Sequence, residues 1–185
     1  MVSVTNLKNG MAVKIDGSLF NVVYFQHVKP GKGGAFVRTK LKNIKTGSIL
    51  EKTFRGGESI EDIFLESKPM EYLYKELEQL VFMDLQSYDQ IYIPITLCEE
   101  VIDLLKENLE IKVMFYEGTP IRVELPLKVE LKVVDTPPNF KGNTASGGTK
   151  PAKLETGATI QVPFFIENED LLSINTEKKE YIQRV

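Results

Sequence analysis

The chain reads as an all-β protein built from small barrels. Two observations carry that reading. Apolar and charged residues alternate at period two in several short runs, which gives each strand one buried and one wet face. Turn signals recur between the runs, at Asp16-Gly17, Thr46-Gly47, Glu117-Gly118 and Pro137-Pro138. Many short strands at regular spacing are the pattern of small barrels.

The elements follow in order. Residues 19–42 hold two strand-like runs around Pro30-Gly31-Lys32-Gly33-Gly34, and in the second run Val37, Thr39 and Leu41 alternate with Arg38, Lys40 and Lys42. Residues 70–85 are ambiguous. They contain good helix formers and no Gly or Pro, but Tyr72, Tyr74, Val81 and Phe82 favour strands. Thr96 and Glu99 have capping-box spacing ahead of Val101, Ile102, Leu104 and Leu105, which predicts one short helix ending near Asn108. Three further alternating runs follow, centred on Val113, Val123 and Leu131. Residues 135–152 are rich in Gly, Pro, Ser and Thr, the composition of a long loop, and one of this length inside a compact unit is more often functional or disordered than decorative.

Composition excludes several classes of function. The chain of 185 residues has one Cys and one His, so there is no internal disulfide framework, no Cys-rich zinc site and no two-His metal motif. No apolar run approaches the length of a membrane span. Lys8, Lys14 and Asp16 interrupt any signal-peptide apolar region. A soluble cytoplasmic protein is expected, with no membrane partner and no cofactor or metal.

The net charge of −3 hides an asymmetry. Residues 1–64 sum to +5, residues 65–126 to −8 and residues 127–185 to 0. Within residues 1–57 only Asp16 and Glu51 are acidic, against ten Lys and Arg. A basic unit followed by an acidic one suggests an end that meets a polyanion and a middle that avoids it.

The hairpin at residues 19–42 is the strongest single feature. Pro30 has no N–H, so the ladder must stop there. Gly31, Gly33 and Gly34 permit backbone angles that other residues resist, and leave Lys32 without a bulky neighbour. Arg38, Lys40 and Lys42, two residues apart, form a cationic stripe leading from the tip, and Lys29 adds a charge on the other side. This arrangement suits a phosphate backbone. It is not a nucleotide-hydrolysing loop, because Lys32 is followed by Gly33 rather than Ser or Thr.

The run from Gln26 to Gly33, continuing through Ala35-Phe36-Val37-Arg38, resembles the N-terminal domain of the bacterial translation elongation factor P family. The stretch from Lys141 to Ala152, Gly157 with Val162-Pro163-Phe164-Phe165-Ile166, and the ending from Glu180 to Val185 resemble the same family. The resemblance implies three small barrels in an L that mimics tRNA. These are an SH3-like (KOW-type) domain at 1–64, an OB-fold at 65–126 and a second OB-fold at 127–185.

The resemblance also implies a function. The family binds the ribosome between the peptidyl-tRNA and exit sites and promotes peptide-bond formation at consecutive prolines. Lys32 falls where the family reaches the CCA end of the peptidyl-tRNA and carries a modification added by a dedicated enzyme. Gly142, Asn143 and Thr144 fall on a loop that approaches the small subunit and the exit-site codon. The implied partners are the rRNA of both subunits and a peptidyl-tRNA of proline, with the factor a monomer and not an enzyme. Residues 70–85 become two strands.

The chain departs from the family pattern in named places. A usual hairpin glycine is Leu77, a usual acid in the third-domain loop is Asn143, and a usual glycine in an earlier turn is Glu169. Near the C-terminus, Asn175, Glu177 and Lys179 replace an Asp, an Arg and a Gly. These departures motivate an alternative, a general RNA-binding OB/SH3 protein without proline-specific activity. Cys98 reads as a packing residue and His27 as a support beside the hairpin. The two fall in different expected domains, so no nucleophile–base pair supports a hydrolase.

Overall fold

A computed structural model of the chain describes residues 1–31, 33–138 and 148–185. Nearly all regular structure is β, in three sheets. The first contains β1 (Val2–Ser3), β2 (Ala12–Ile15), β3 (Ser18–Val28), β4 (Phe36–Asn43), β5 (Ile49–Arg55) and β6 (Ser59–Ile63), in the order β1-β6-β2-β3-β4-β5. The second contains β7 (Glu66–Glu76), β8 (Gln79–Asp84), β9 (Gln90–Pro94), β10 (Glu110–Tyr116) and β11 (Thr119–Glu124), in the order β11-β10-β7-β8-β9. The third contains β12 (Lys128–Asp135), β13 (Thr149–Leu154), β14 (Thr159–Pro163), β15 (Leu171–Asn175) and β16 (Glu180–Arg184), in the order β14-β13-β12-β15-β16.

The chain divides into two compact units. Met1–Glu66 with Met114–Arg122 form one, and Ser67–Val113 with Val123–Val185 the other. In the first, Val13, Ile15, Phe20, Val22, Val37, Leu41, Phe54 and Ile60 form a buried cluster with Val4 and Leu7. In the second, the inward residues of the third sheet, among them Val129, Leu131, Val133, Ala152, Leu154, Leu172 and Ile174, form a cluster that also takes in Leu104. The period-two alternation is what produces these cores, since the buried residues on β4 and β12 alternate with exposed, mostly charged ones.

The turns show where local chemistry acts. Asp16-Gly17 and Glu117-Gly118 both carry positive φ at two successive residues, the two-residue turn that matches strand twist. Residues 70–85 form most of the β7–β8 hairpin, closed by Leu77-Glu78 with Leu77 at φ 52°. Glu169 and Lys179 also lie at positive φ, 72° and 55°. All three positions where a glycine is replaced therefore keep the backbone conformation that favours glycine.

The short helix expected after Thr96 is corrected. The segment makes two 3-10 turns, Ile95–Leu97 and Ile102–Leu104, each closed by a bond to a residue three positions back. Thr96 does not cap: the residue before the first turn is Pro94, which makes no side-chain capping bond. Tertiary packing explains the break. Cys98, Leu104 and Leu105 are all buried, and Leu104 joins the third-sheet core. Ile95, Thr96, Val101 and Ile102 are β-branched and lose little by leaving α-helix.

Candidate nucleic-acid interface

The candidate site is built on the β3–β4 hairpin. Eight residue pairs hold the two strands in register, from Phe20 with Asn43 to Val28 with Phe36, with one irregularity between Val22 and Tyr24. Strand pairing ends at Val28 and Phe36, and Lys29, Pro30, Gly31, Gly33 and Gly34 beyond it are all exposed. Lys32 lies outside the described residues. Gly33 has φ 117°, a backbone angle that a side chain would strain. Gly31 and Gly34 have ordinary φ, and a β-carbon on either would meet nothing within 4 Å. Among the described residues, neither packing nor backbone conformation requires glycine at those two positions.

The chain where it leaves the hairpin tip is braced by the β5–β6 turn. The Gly56 N–H donates to the Ala35 carbonyl at 2.7 Å, and a β-carbon on Gly56 would stand 3.0 Å from that oxygen. Phe36 pairs with Arg55 across the next strand. The Arg38 guanidinium lies over the Phe36 ring at 5.5 Å, a cation–π contact on the outer face.

Arg38, Lys40 and Lys42 project from one face of β4, all exposed, while Val37, Thr39 and Leu41 are buried behind them. Cross-strand neighbours complete the face. Gln26 and Thr53 flank Arg38, Tyr24 and Glu51 flank Lys40, and Asn21 and Ile49 flank Lys42. The stripe is therefore cationic and largely polar, with Tyr24, Phe36 and Ile49 as its apolar surface, a mixture that serves phosphates and unpaired bases.

One acid modifies the stripe. Glu51 Oε1 is 2.9 Å from Lys40 Nζ. The hydrogen bond and the opposite charge raise the Lys40 pKa and lower that of Glu51, at an exposed position. The other acid of residues 1–57, Asp16, is 3.5 Å from Lys52. Both acids of this basic segment are spoken for by lysines. Sequence reasoning found the stripe and noted Glu51 and Phe36, but not that both stand beside it, and it missed Gly56. Strand register decides which residues become neighbours, and the Gly56-Gly57 pair reads as an ordinary turn.

The remaining candidates fall as follows. His27 is exposed at the mouth of the hairpin, edge-to-face with Phe25 at 5.5 Å. Cys98 is buried, and burial pushes its thiol up to about 11. Gly142, Asn143 and Thr144 lie outside the described residues. Asn175 accepts a hydrogen bond from the Lys178 N–H at 2.8 Å, a role an Asp would fill equally. Among the described residues no group of three or more His, Cys, Asp or Glu could hold a metal ion, and no helix is long and apolar enough to cross a membrane.

Three β-sheets in succession, the first carrying an exposed basic hairpin, define an all-β protein with a cationic face suited to RNA. Residues 3–60 match the family described as Elongation factor P (EF-P) KOW-like domain, 65–123 the Elongation factor P (EF-P) OB domain, and 129–184 Elongation factor P, C-terminal. The chain is 48% identical over 185 residues to Elongation factor P of Pelotomaculum thermopropionicum, covering all of both chains. It is 49% identical over 184 residues to Elongation factor P of Moorella thermoacetica, again covering all of both. Among solved structures it resembles eukaryotic translation initiation factor 5A from Methanococcus jannaschii, with a TM-score of 0.52, 28% identity, and coverage of 66% of this chain and 94% of that one. The chain belongs to the elongation factor P family of translation elongation factors.

Proposed function

We propose that the protein binds the ribosome between the peptidyl-tRNA and exit sites and promotes peptide-bond formation at consecutive prolines. Lys32 reaches the CCA end of the peptidyl-tRNA, in a form extended by a modifying enzyme. Arg38, Lys40 and Lys42 contact RNA phosphates, and Gly142, Asn143 and Thr144 meet the small subunit beside the exit-site codon. Three domains, 1–64, 65–126 and 127–185, divide this work. The factor acts as a cytoplasmic monomer on peptidyl-tRNA, of proline above all.

The physical logic needs no chemistry from the protein. The proline ring fixes φ, so a peptidyl chain ending in prolines can sit out of line for attack. Holding its end restores proximity and orientation, which is worth several orders of magnitude in rate where alignment is limiting. The nucleophile and the leaving group both belong to tRNA, so the protein is a positioning factor and not an enzyme.

The observation that carries the reading is the hairpin tip. Gly31 and Gly34 are exposed with open space where side chains would stand. Glycine that no described neighbour requires fits a backbone that enters a narrow site in a partner. The test is translation of a Pro-Pro-Pro reporter in a reconstituted system. Wild-type protein relieves the stall and Lys32→Ala does not. Equal relief by both proteins removes Lys32 from the mechanism.

A further inference from the structure

We infer that a groove on the face of β3 opposite the Arg38–Lys40–Lys42 stripe binds one unpaired RNA nucleotide. Phe25 and His27 take the base and Lys8 takes the phosphate. This rests on the reading that the basic end of the protein meets RNA, and on neither Lys32 nor proline specificity.

The groove lies wholly within Met1–Glu66, and Thr5, Asn6, Lys8, Met11, Phe25 and His27 line it. Strand register sets one wall. Phe25 stands opposite Thr39 and His27 opposite Val37, and both partners are buried. Tyr24 and Gln26 stand opposite Lys40 and Arg38 instead. The two rings therefore share the face of the hairpin that the stripe leaves free. Phe25 is half-buried against the core, while His27 is exposed. Their rings meet edge-to-face, with centroids 5.5 Å apart and planes at 77°.

The start of the chain forms the other wall. Val4 and Leu7 are buried anchors, and Asn6 and Lys8 beside them are exposed. The Met11 N–H donates to the Lys8 carbonyl at 3.2 Å, and the Gly10 N–H ties this turn to β3 through the Val22 carbonyl at 2.8 Å. The Lys8 N–H donates to Met11 Sδ at 3.2 Å, which holds the thioether in the groove. Both walls are thus fixed by backbone bonds and core packing.

The groups around this groove are unspent. Among the described residues, the Asn6 amide, the Lys8 ammonium and the His27 imidazole have no hydrogen-bond or ion-pair partner. The acids of the unit that come closest in sequence or pairing are held elsewhere. Asp16 meets Lys52 and Glu51 meets Lys40. Glu58, whose carbonyl accepts the Val4 N–H, turns its carboxylate to the Arg55 N–H at 3.1 Å. Asp62 takes the N-terminal ammonium at 2.9 Å. A cation, an amide and an aromatic wall together match a phosphate, a base edge and a base face. Phosphates of a duplex would need only the stripe. An aromatic wall adds affinity only when a base is free to lie against it.

The test titrates the full chain, followed by NMR, with single-stranded RNA pentamers (oligo-A, oligo-C and oligo-U) and with a short RNA duplex. Pentamers are expected to shift the Phe25 and His27 ring signals and the Asn6 and Lys8 amides. Phe25→Leu and His27→Ala are each expected to weaken pentamer binding about ten-fold and to leave duplex binding within about two-fold. Lys8→Met is expected to lower the log–log salt slope for pentamers by about 0.7. Thermal melts establish which variants fold, and if Phe25→Leu does not, His27→Ala and Lys8→Met at exposed positions carry the test. Pentamers that move only the stripe, or that bind the folded variants as tightly as wild type, overturn the proposal. Groove shifts caused by oligo-glutamate and not by RNA overturn it too, and assign the groove to an acidic protein.

Dimethyl sulfate probing of ribosome complexes then names the source of the nucleotide. Wild-type protein is expected to protect an unpaired base that His27→Ala leaves reactive, in tRNA or in ribosomal RNA. Identical protection by both proteins overturns the proposal. A wild-type factor that binds pentamers through the groove but gives no relief on the Pro-Pro-Pro reporter would overturn the functional reading and leave the groove standing.

Discussion

The Glu51 carboxylate meets the Lys40 ammonium at 2.9 Å, in the middle of the only exposed face of β4. An acid placed there competes with phosphate for the central cation of the stripe. Glu51→Gln is therefore expected to strengthen ribosome binding and to steepen its log–log salt dependence by about one unit, the contribution of roughly one phosphate contact. Replacing Arg38 and Lys40 with Glu is expected to weaken binding and flatten the salt dependence. Co-sedimentation at several salt concentrations reads both effects, and an unchanged slope in all these variants would mean that the stripe faces solvent in the complex.

The glycines at the hairpin tip separate fold from function. Gly31→Ala and Gly34→Ala meet no atom within 4 Å and require no positive φ, so the melting temperature is expected to hold or rise slightly. Activity on the Pro-Pro-Pro reporter is expected to fall. Gly33→Ala forces a side chain onto φ 117° and is expected to cost about 1 kcal/mol or more in stability. Full activity of Gly31→Ala and Gly34→Ala would mean that the tip needs no narrow path.

Leu77 closes the β7–β8 hairpin at φ 52° while almost wholly exposed, so its side chain offers little to offset the backbone strain. Leu77→Gly is expected to stabilise the protein by about 1 kcal/mol, read as a rise in melting temperature. Glu169→Gly and Lys179→Gly relieve similar strain but lose ion pairs with Lys132 and with Asp103. Those pairs are exposed and worth a few tenths of a kcal/mol, so the net gain at both sites is expected to be smaller. A loss of stability in Leu77→Gly would show that the leucine side chain matters to the turn.

Cys98 is fully buried, and burial alone raises its thiol to about 11. The thiolate is the reactive form, so at pH 8 the native protein is expected to resist a thiol-specific disulfide reagent and to react once denatured. The raised value favours the neutral thiol in the folded state. Its contribution is thus complete below the unfolded thiol pKa and lost as pH climbs through 11. Rapid labelling of native protein at pH 8 would show that the segment around the two 3-10 turns opens readily.

Much of this molecule is legible in the residues themselves. Alternation along Val37-Thr39-Leu41 and Val129-Leu131-Val133 specifies strands because the side-chain period of a pleated backbone is two, and burying one face is what stabilises the sheet. The basic hairpin with its proline and glycines is equally local, since φ restrictions belong to single residues. The segment after Thr96 shows the limit of local signals. Its apolar spacing reads as helix, yet Cys98 is buried and Leu104 joins the core of the third sheet, and the segment breaks into short turns.

Pairings between distant residues were decided only by the tertiary structure. Lys40 finds Glu51, Gly56 braces Ala35, and Lys150 reaches Pro137 because strand register brings together residues far apart in the chain. Register depends on the summed fit of whole faces, not on any one residue. The strained turn at Leu77 has the same origin: cross-strand pairing holds a leucine in a conformation that leucine alone would avoid.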